Sequence, residues 1–200
     1  MPDLKAQQSF STSSDLLTRV RRHEAVAWQR FVTLYAPLVY SWCRRAGVSA
    51  SDSGDVTQDV FAKVFTAIID FRHDRQGDTL RGWLRVICRN KVLDHFRRRQ
   101  NSPQAVGGTD AQVKLLEKAV ADDEDQSTVA GDRHGLVHRA AELVRSEFEP
   151  RTWQAFWLMV VEHRTTREAG ERLGMTPGAV RQAKYMVLRR LREELSGEFD

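Results

Sequence analysis

The chain has 200 residues, 41% of them hydrophobic, and a formal net charge of +4. That length suits one ordinary domain or two small ones. No apolar run approaches the roughly 20 residues of a spanning helix, and MPDLKAQQSFSTSSD lacks the charged start and apolar block of a secretory signal, so a cytoplasmic protein without membrane insertion is expected.

The charge is unevenly spread. Residues 1–100 carry 17 Lys and Arg against 10 Asp and Glu, residues 101–135 carry 3 against 7, and residues 136–200 carry 11 against 10. A basic part, an acidic connector and a near-neutral part are not one uniform globule. Cys43 and Cys88 are the only cysteines. With no CxxC and no paired His spacing they read as two buried thiols in a reducing compartment, with no metal site.

Taken in order, nearly every element reads as helix. Ser13 and Ser14 are cap candidates for a short helix through Leu16, Leu17 and Val20. Phe31, Leu34, Tyr35, Leu38 and Trp42 then share one face of a long helix, which Pro37 should kink or split and Gly47 should end. Asp52 or Ser53 is expected to cap the next helix, with the stripe Val56, Val60, Phe61, Val64, Phe65 and Ile68. After the turn-rich FRHDRQGDT comes TLRGWLRVICRNKVLDHFRRR, residues 79–99. Leu80, Trp83, Leu84 and Ile87 form its apolar side, with Arg81, Arg85 and Arg89 opposite. Beyond Cys88 the pattern turns over, so the helix is expected to change packing partners near Asn90. Cations beside an aromatic residue and an Asn suit single-stranded DNA. A plain solvated basic face explains the row equally well.

Residues 101–135 hold loop chemistry, one short helical candidate (DAQVKLLEKAV) and the acidic run ADDEDQS, and read as a mobile tether. Helical periodicity returns with Leu136, Ala140, Leu143, Val144 and Phe148. Pro150 marks a break, and Trp153, Phe156, Trp157 and Val160 follow. Thr165 and Glu168 have capping-box spacing for a helix that stops at Gly174. Thr176 caps a last helix with Pro177 in its first turn and a stripe of Val180, Ala183, Val187, Leu191 and Leu195. Two short helices around Gly174, with Gly170 small where they approach, form a helix-turn-helix candidate. Arg181, Gln182, Lys184 and Tyr185 lie on the exposed side near the start of its second helix, where Arg and Gln can pair with guanine and adenine edges. A helical bundle with a charged outer face remains the alternative at this point. The expected fold is all-α: two small helical domains joined by a flexible acidic linker, the second containing the helix-turn-helix.

LYAPLVYSWCRRAG, DVTQDVFAKVF, LRGWLRVICRNKVLDHFRRR and MTPGAVRQAKYMVLRRLREEL, in that order, resemble the sequence blocks of extracytoplasmic-function (ECF) sigma factors of bacterial RNA polymerase. The resemblance implies a region 2 domain over 14–100, an acidic linker over 101–135 and a region 4 domain over 136–198. It implies core RNA polymerase and promoter DNA as partners, leaves room for an anti-sigma factor, and implies no cofactor and no catalysis. Asn90 and Lys91 match the helix that holds the non-template strand of the minus-ten element, with Asn90 at a position that contacts an extruded base. Phe71 and Arg72 begin the loop that matches the base pocket, and Arg97, Arg98 and Arg99 match phosphate contacts. Asp55, Gln58 and Asp59 fall on the surface that grips the polymerase clamp. Thr176, Arg181, Gln182, Lys184 and Tyr185 match the helix that reads the minus-thirty-five element. Leu80, Ser53-Gly54 and Gly170 depart from the family's commoner residues; Gly170 stands for Ala and should weaken its helix by about 1 kcal/mol. A standalone helix-turn-helix regulator would explain residues 136–200 but not the basic, aromatic first part. A nuclease would need an acid–base or metal cluster that the sequence does not supply.

Overall fold

A computed structural model of the protein describes residues 16–71, 79–100 and 126–195. Among the described residues there are eight helices and no strands: α1 (Leu16–Arg21), α2 (Ala25–Arg45), α3 (Ala50–Ala67), α4 (Leu80–Gln100), α5 (Gln126–Arg145), α6 (Pro150–Val160), α7 (Thr166–Leu173) and α8 (Pro177–Glu194). The expected caps Ser13 and Ser14, the residue Arg72, and the helical candidate and acidic run of the connector lie outside the described residues.

The first bundle, α1 to α4, follows its apolar stripes. Phe31, Leu34, Tyr35, Leu38 and Trp42 are buried on α2. Pro37 does not split this helix, which runs unbroken from Ala25 to Arg45. Proline removes one amide and crowds one carbonyl, and burial of the face on both sides of it outweighs that local loss. The backbone turns at Gly47, where φ is 86°. The next cap is neither Asp52 nor Ser53. Ser49 caps α3, its hydroxyl accepting from the Asp52 amide at 3.1 Å, while Ser53 is buried and donates to the Ser49 carbonyl at 2.7 Å. On α3 the stripe is buried except for Phe65, whose ring meets Trp28 at 4.9 Å and His23 at 4.1 Å.

Helix α4 buries one continuous row, Leu80, Leu84, Cys88 and Val92, on both sides of Asn90. Steps of four residues drift slowly round a helix, so Leu93 joins the row at its far end. The two thiols meet between α2 and α4, with Sγ–Sγ at 3.8 Å, and both are free and buried. Their mutual hydrogen bond and burial push the Cys88 thiol well above its ordinary range.

Helix α5 begins at Gln126, within the stretch expected to be tether. Pro150 is the first residue of α6. The turn between α7 and α8 is built as its sequence suggests. Thr165 and Glu168 form a reciprocal capping box, Gly174 closes α7 at φ 60°, and Thr176 caps α8 by accepting from the Ala179 amide at 3.2 Å. Arg151 adds a support that the pattern does not announce, donating to the Leu173 carbonyl at 2.8 Å and to that of Gly174. The main hydrophobic core is continuous between the halves: Leu136, Ala140, Val144, Trp153, Phe156, Val187, Leu191 and Leu195 share one cluster with the α1–α4 core. A smaller cluster of Ala155, Leu158, Ala169, Val180 and Ala183 holds the α7–α8 turn.

Candidate nucleic-acid interface

Three exposed surfaces carry the residues singled out by sequence. The first is the outer side of α3. Asp55, Gln58 and Asp59 point to solvent because Val56, Val60 and Val64 commit the opposite side to the core. Asp52 joins them in the first turn. Hydrogen bonding with Ser49 holds its carboxyl below the usual range against slight desolvation, and Ser51, His95 and Arg99 add to the effect.

The second surface is the distal half of α4. Asn90 and Arg89 are exposed and Lys91 is half-buried. Arg97, Arg98 and Arg99 are exposed, and two of them reach α3: Arg98 Nη1 lies 3.6 Å from Asp59 Oδ2, and Arg99 Nη1 lies 3.7 Å from Asp52 Oδ2. Such exposed pairs contribute about 0–1 kcal/mol and exchange readily for phosphate. The proximal arginines are placed differently from expectation. Arg81 and Arg85 do not face solvent opposite the core. The Arg81 side chain is 13% exposed with Nη1 3.9 Å from Asp132, and the Arg85 guanidinium lies 5.8 Å from the Trp42 ring centroid. Sharing a wheel side with Arg89 did not decide their burial, because Asp132 of α5 lies beside Arg81 and Trp42 of α2 beside Arg85.

Phe71 opens the loop toward Thr79, but its ring is buried. It packs on Trp83 at 5.0 Å, and Arg21 donates to its carbonyl at 2.8 Å while standing over the ring. Phe71 therefore anchors the loop rather than offering its face to a base. At the far end, Thr79 Oγ1 accepts from the Gly82 amide at 3.0 Å and starts α4.

The third surface is the start of α8. Arg181, Gln182 and Tyr185 are exposed, Lys184 is half-buried, and Val180 and Ala183 plug the helix into the smaller core. Thr176 serves as the cap, with its hydroxyl already engaged. Farther along, Arg189 pairs with Glu193 at 3.1 Å and Arg190 with Glu147 at 2.6 Å, so two cations of the last helix have carboxylate partners. Burial disfavours the Arg190 charge, yet hydrogen bonds and attraction from Glu147 and Glu194 outweigh it and raise its pKa. Among the described residues no group of three or more His, Cys, Asp or Glu is placed to hold a metal ion. No described helix is long and apolar enough to cross a membrane.

Sequence reasoning missed Asp132, the buried carboxylate that faces Trp42, Arg45 and Arg81. The signal was present, because Asp132 lies one turn before Leu136 on the row that continues through Ala140 and Val144. Glu194 was likewise not singled out, although its side chain is 1% exposed and pairs with Arg30 at 2.8 Å.

The Sigma-70 region 2 family model matches residues 31–102, a span covering most of α2, all of α3 and α4, and the surfaces just described. The chain is 28% identical over 171 residues to "ECF RNA polymerase sigma factor SigE" of Mycolicibacterium smegmatis, covering 85% of this chain and 62% of that protein. It is 23% identical over 186 residues to "ECF RNA polymerase sigma factor BldN" of Streptomyces coelicolor, covering 93% of this chain and 67% of the relative. A solved RsbN–BldN complex aligns over 88% of this chain and 97% of the matched one, at 20% identity and a TM-score of 0.37. The chain thus spans under two thirds of the length of the SigE relative. With a region 2 match across most of its first bundle and likeness to these relatives along most of its own length, the chain is similar to ECF sigma factors.

Proposed function

We propose that the protein binds core RNA polymerase as a transcription initiation factor, recognises two promoter elements and helps to melt the promoter DNA. In this reading residues 14–100 are region 2 and residues 136–198 region 4, with α5 extending back from region 4 into the connector. Asp55, Gln58 and Asp59 meet the polymerase clamp. Asn90 holds an extruded base of the minus-ten element, Lys91, Arg97 and Arg98 follow the backbone, and Phe71 braces the loop that Arg72 continues. Arg181, Gln182, Lys184 and Tyr185 read the minus-thirty-five element from a helix started by Thr176. The protein acts in the cytoplasm, without catalysis or a cofactor of its own, and an anti-sigma factor is a natural further partner.

One observation carries the reading: within the matched region 2 span, α4 presents Arg89, Asn90 and three arginines to solvent beside the exposed α3 carboxylates. Planar and amide groups hold unstacked bases while cations track phosphates, as single strands require. The test is reconstitution. Purified chain is mixed with core polymerase and assayed on promoters found by mapping bound sites after induced expression. Retention by core and start-site-specific transcripts are expected. A chain that footprints a duplex operator alone and never joins core would overturn the reading in favour of a standalone regulator.

A further inference from the structure

Helix α4 turns one side outward, and an apolar side chain stands in the middle of it. Leu80, Leu84, Cys88 and Val92 are the buried row. Val86 lies two residues from both Leu84 and Cys88, which on a helix of about 3.6 residues per turn is the far side. It is 51% exposed. One turn before it is Gly82, exposed and without a side chain, and one turn after it is the exposed Asn90. Arg89 borders this side along one edge. The half-buried Trp83 borders it along the other, its ring held against Phe71 at 5.0 Å.

A single exposed valine is ordinary on a protein surface. This one sits inside the strip assigned to a melted strand, where arginines supply charge and Asn90 supplies hydrogen bonds. Charge answers phosphate and an amide answers the polar edge of a base; neither recognises an apolar group. Thymine carries the only methyl group among the four bases, and apolar side chains recognise it by contact. Valine holds essentially one rotamer in a helix, so little freedom is lost when it is covered. Four residues advance about 6 Å along a helix, close to two base steps of roughly 3.4 Å. A base lying over Val86 is therefore a near neighbour of the base at Asn90.

On the initiation reading above, we propose that Val86 is a specificity-determining residue of the minus-ten contact, packing against the methyl group of a non-template thymine one or two nucleotides from the base held by Asn90. Gly82 keeps the approach open, because residues one turn apart on a helix face are neighbours and a longer side chain there would stand over Val86.

The full chain is reconstituted with core polymerase and titrated with a fork, duplex upstream and single-stranded on the non-template strand across the minus-ten element, built on a mapped promoter. Each non-template thymine is replaced in turn by deoxyuridine, which lacks only the methyl group. Wild type is expected to lose about 4-fold in affinity at one position, the worth of one buried methyl group, and little elsewhere. Val86→Ala should bind the thymine and uracil forms of that position alike. Alanine is the better helix former, so this exposed change leaves α4 intact. Val161→Ala, at a similarly exposed valine just beyond α6, should keep the wild-type ratio. A minus-ten element without thymine, a wild type indifferent to uracil, a ratio that survives in Val86→Ala, or one lost in Val161→Ala would each overturn the assignment. If the chain never joins core polymerase, the initiation reading falls instead. The chain alone, titrated with oligothymidylate and oligodeoxyuridylate, then decides Val86: a thymine preference that Val86→Ala lacks supports the contact, and equal binding by wild type overturns it.

Discussion

Gly170 accepts a hydrogen bond from the Met175 amide at 2.9 Å, and a methyl group on its Cα would meet the Met175 carbonyl oxygen at 2.6 Å. The oxygen belongs to backbone in the turn between α7 and α8, so it cannot swing aside as a long side chain would. Helix propensity alone favours alanine here by about 1 kcal/mol. The close approach reverses that preference. Gly170→Ala is expected to destabilise the protein by about 1–3 kcal/mol, the usual cost of overpacking. Urea denaturation followed by far-UV circular dichroism measures it; an unchanged or higher midpoint would contradict the geometry.

Acid should loosen the same element. The Glu168 carboxylate accepts from the Thr165 amide and from its hydroxyl, each at 2.8 Å, and these bonds hold its pKa below the usual carboxylate range. A group with a depressed folded-state pKa adds stability above its unfolded-state value, and that stability is lost as pH falls through the depressed one. Carbon-detected NMR of the Glu168 side chain is expected to titrate below an exposed reference glutamate. Glu168→Gln should flatten the acid limb of the stability profile in that window, and a profile superimposable on wild type would show the cap to be inert.

Replacing Gln58 and Asp59 by Ala separates folding from binding. Both residues are exposed, and Asp59 pairs with the exposed Arg98 at 3.6 Å. Stability should move by less than about 0.5 kcal/mol. Affinity for core polymerase should fall about 10-fold or more, as for truncations near the centre of an interface. Fluorescence anisotropy with core polymerase reads this, and unchanged affinity removes α3 from the clamp assignment.

Asn90→Ala and Arg181→Ala should fail differently. On the proposed reading, loss of Arg181 removes a bidentate guanine contact, about 1–3 kcal/mol of base discrimination, and should weaken closed-complex formation. Loss of Asn90 removes hydrogen bonds available only to an unpaired base. Its defect should shrink on a template already mismatched across the minus-ten element, where unpairing, worth a few kcal/mol, is no longer required. Transcription from duplex and bubble templates, with permanganate reactivity for open thymines, distinguishes them. Equal rescue of both variants would dissolve this division of labour.

Elements whose residues answer mainly to their own stripe were legible from sequence. The α7–α8 turn was readable down to its caps, because Thr165, Gly174, Thr176 and Pro177 each act within a few residues of chain. The α3 cap was misplaced by one turn because three hydroxyl or carboxyl residues, Ser49, Asp52 and Ser53, compete there, and burial of Ser53 decides among them. Arg81 and Arg85 were assigned to solvent because a helical wheel knows nothing of a second helix lying over it. Asp132 and Arg30 escaped notice for the same reason: their partners lie 90 and 164 residues away, and no local pattern encodes that distance. Arg181 was singled out by its place on the exposed side of α8 and Asn90 by the basic and aromatic residues around it, while the resemblance supplied the roles proposed for them.

The span between Arg30 and Glu194 also orders events in time. Contacts close in sequence form early, and those that must close a long loop form late. On a ribosome, α1 to α4 are complete before Glu194 has been polymerised, so every new chain passes through a state in which its first bundle stands uncovered. Domains generally fold as units, in order of synthesis. Docking of the halves is then the last step of folding, and the carboxylates at 132 and 194 act on the rate at which the finished halves come apart more than on the rate at which either half forms.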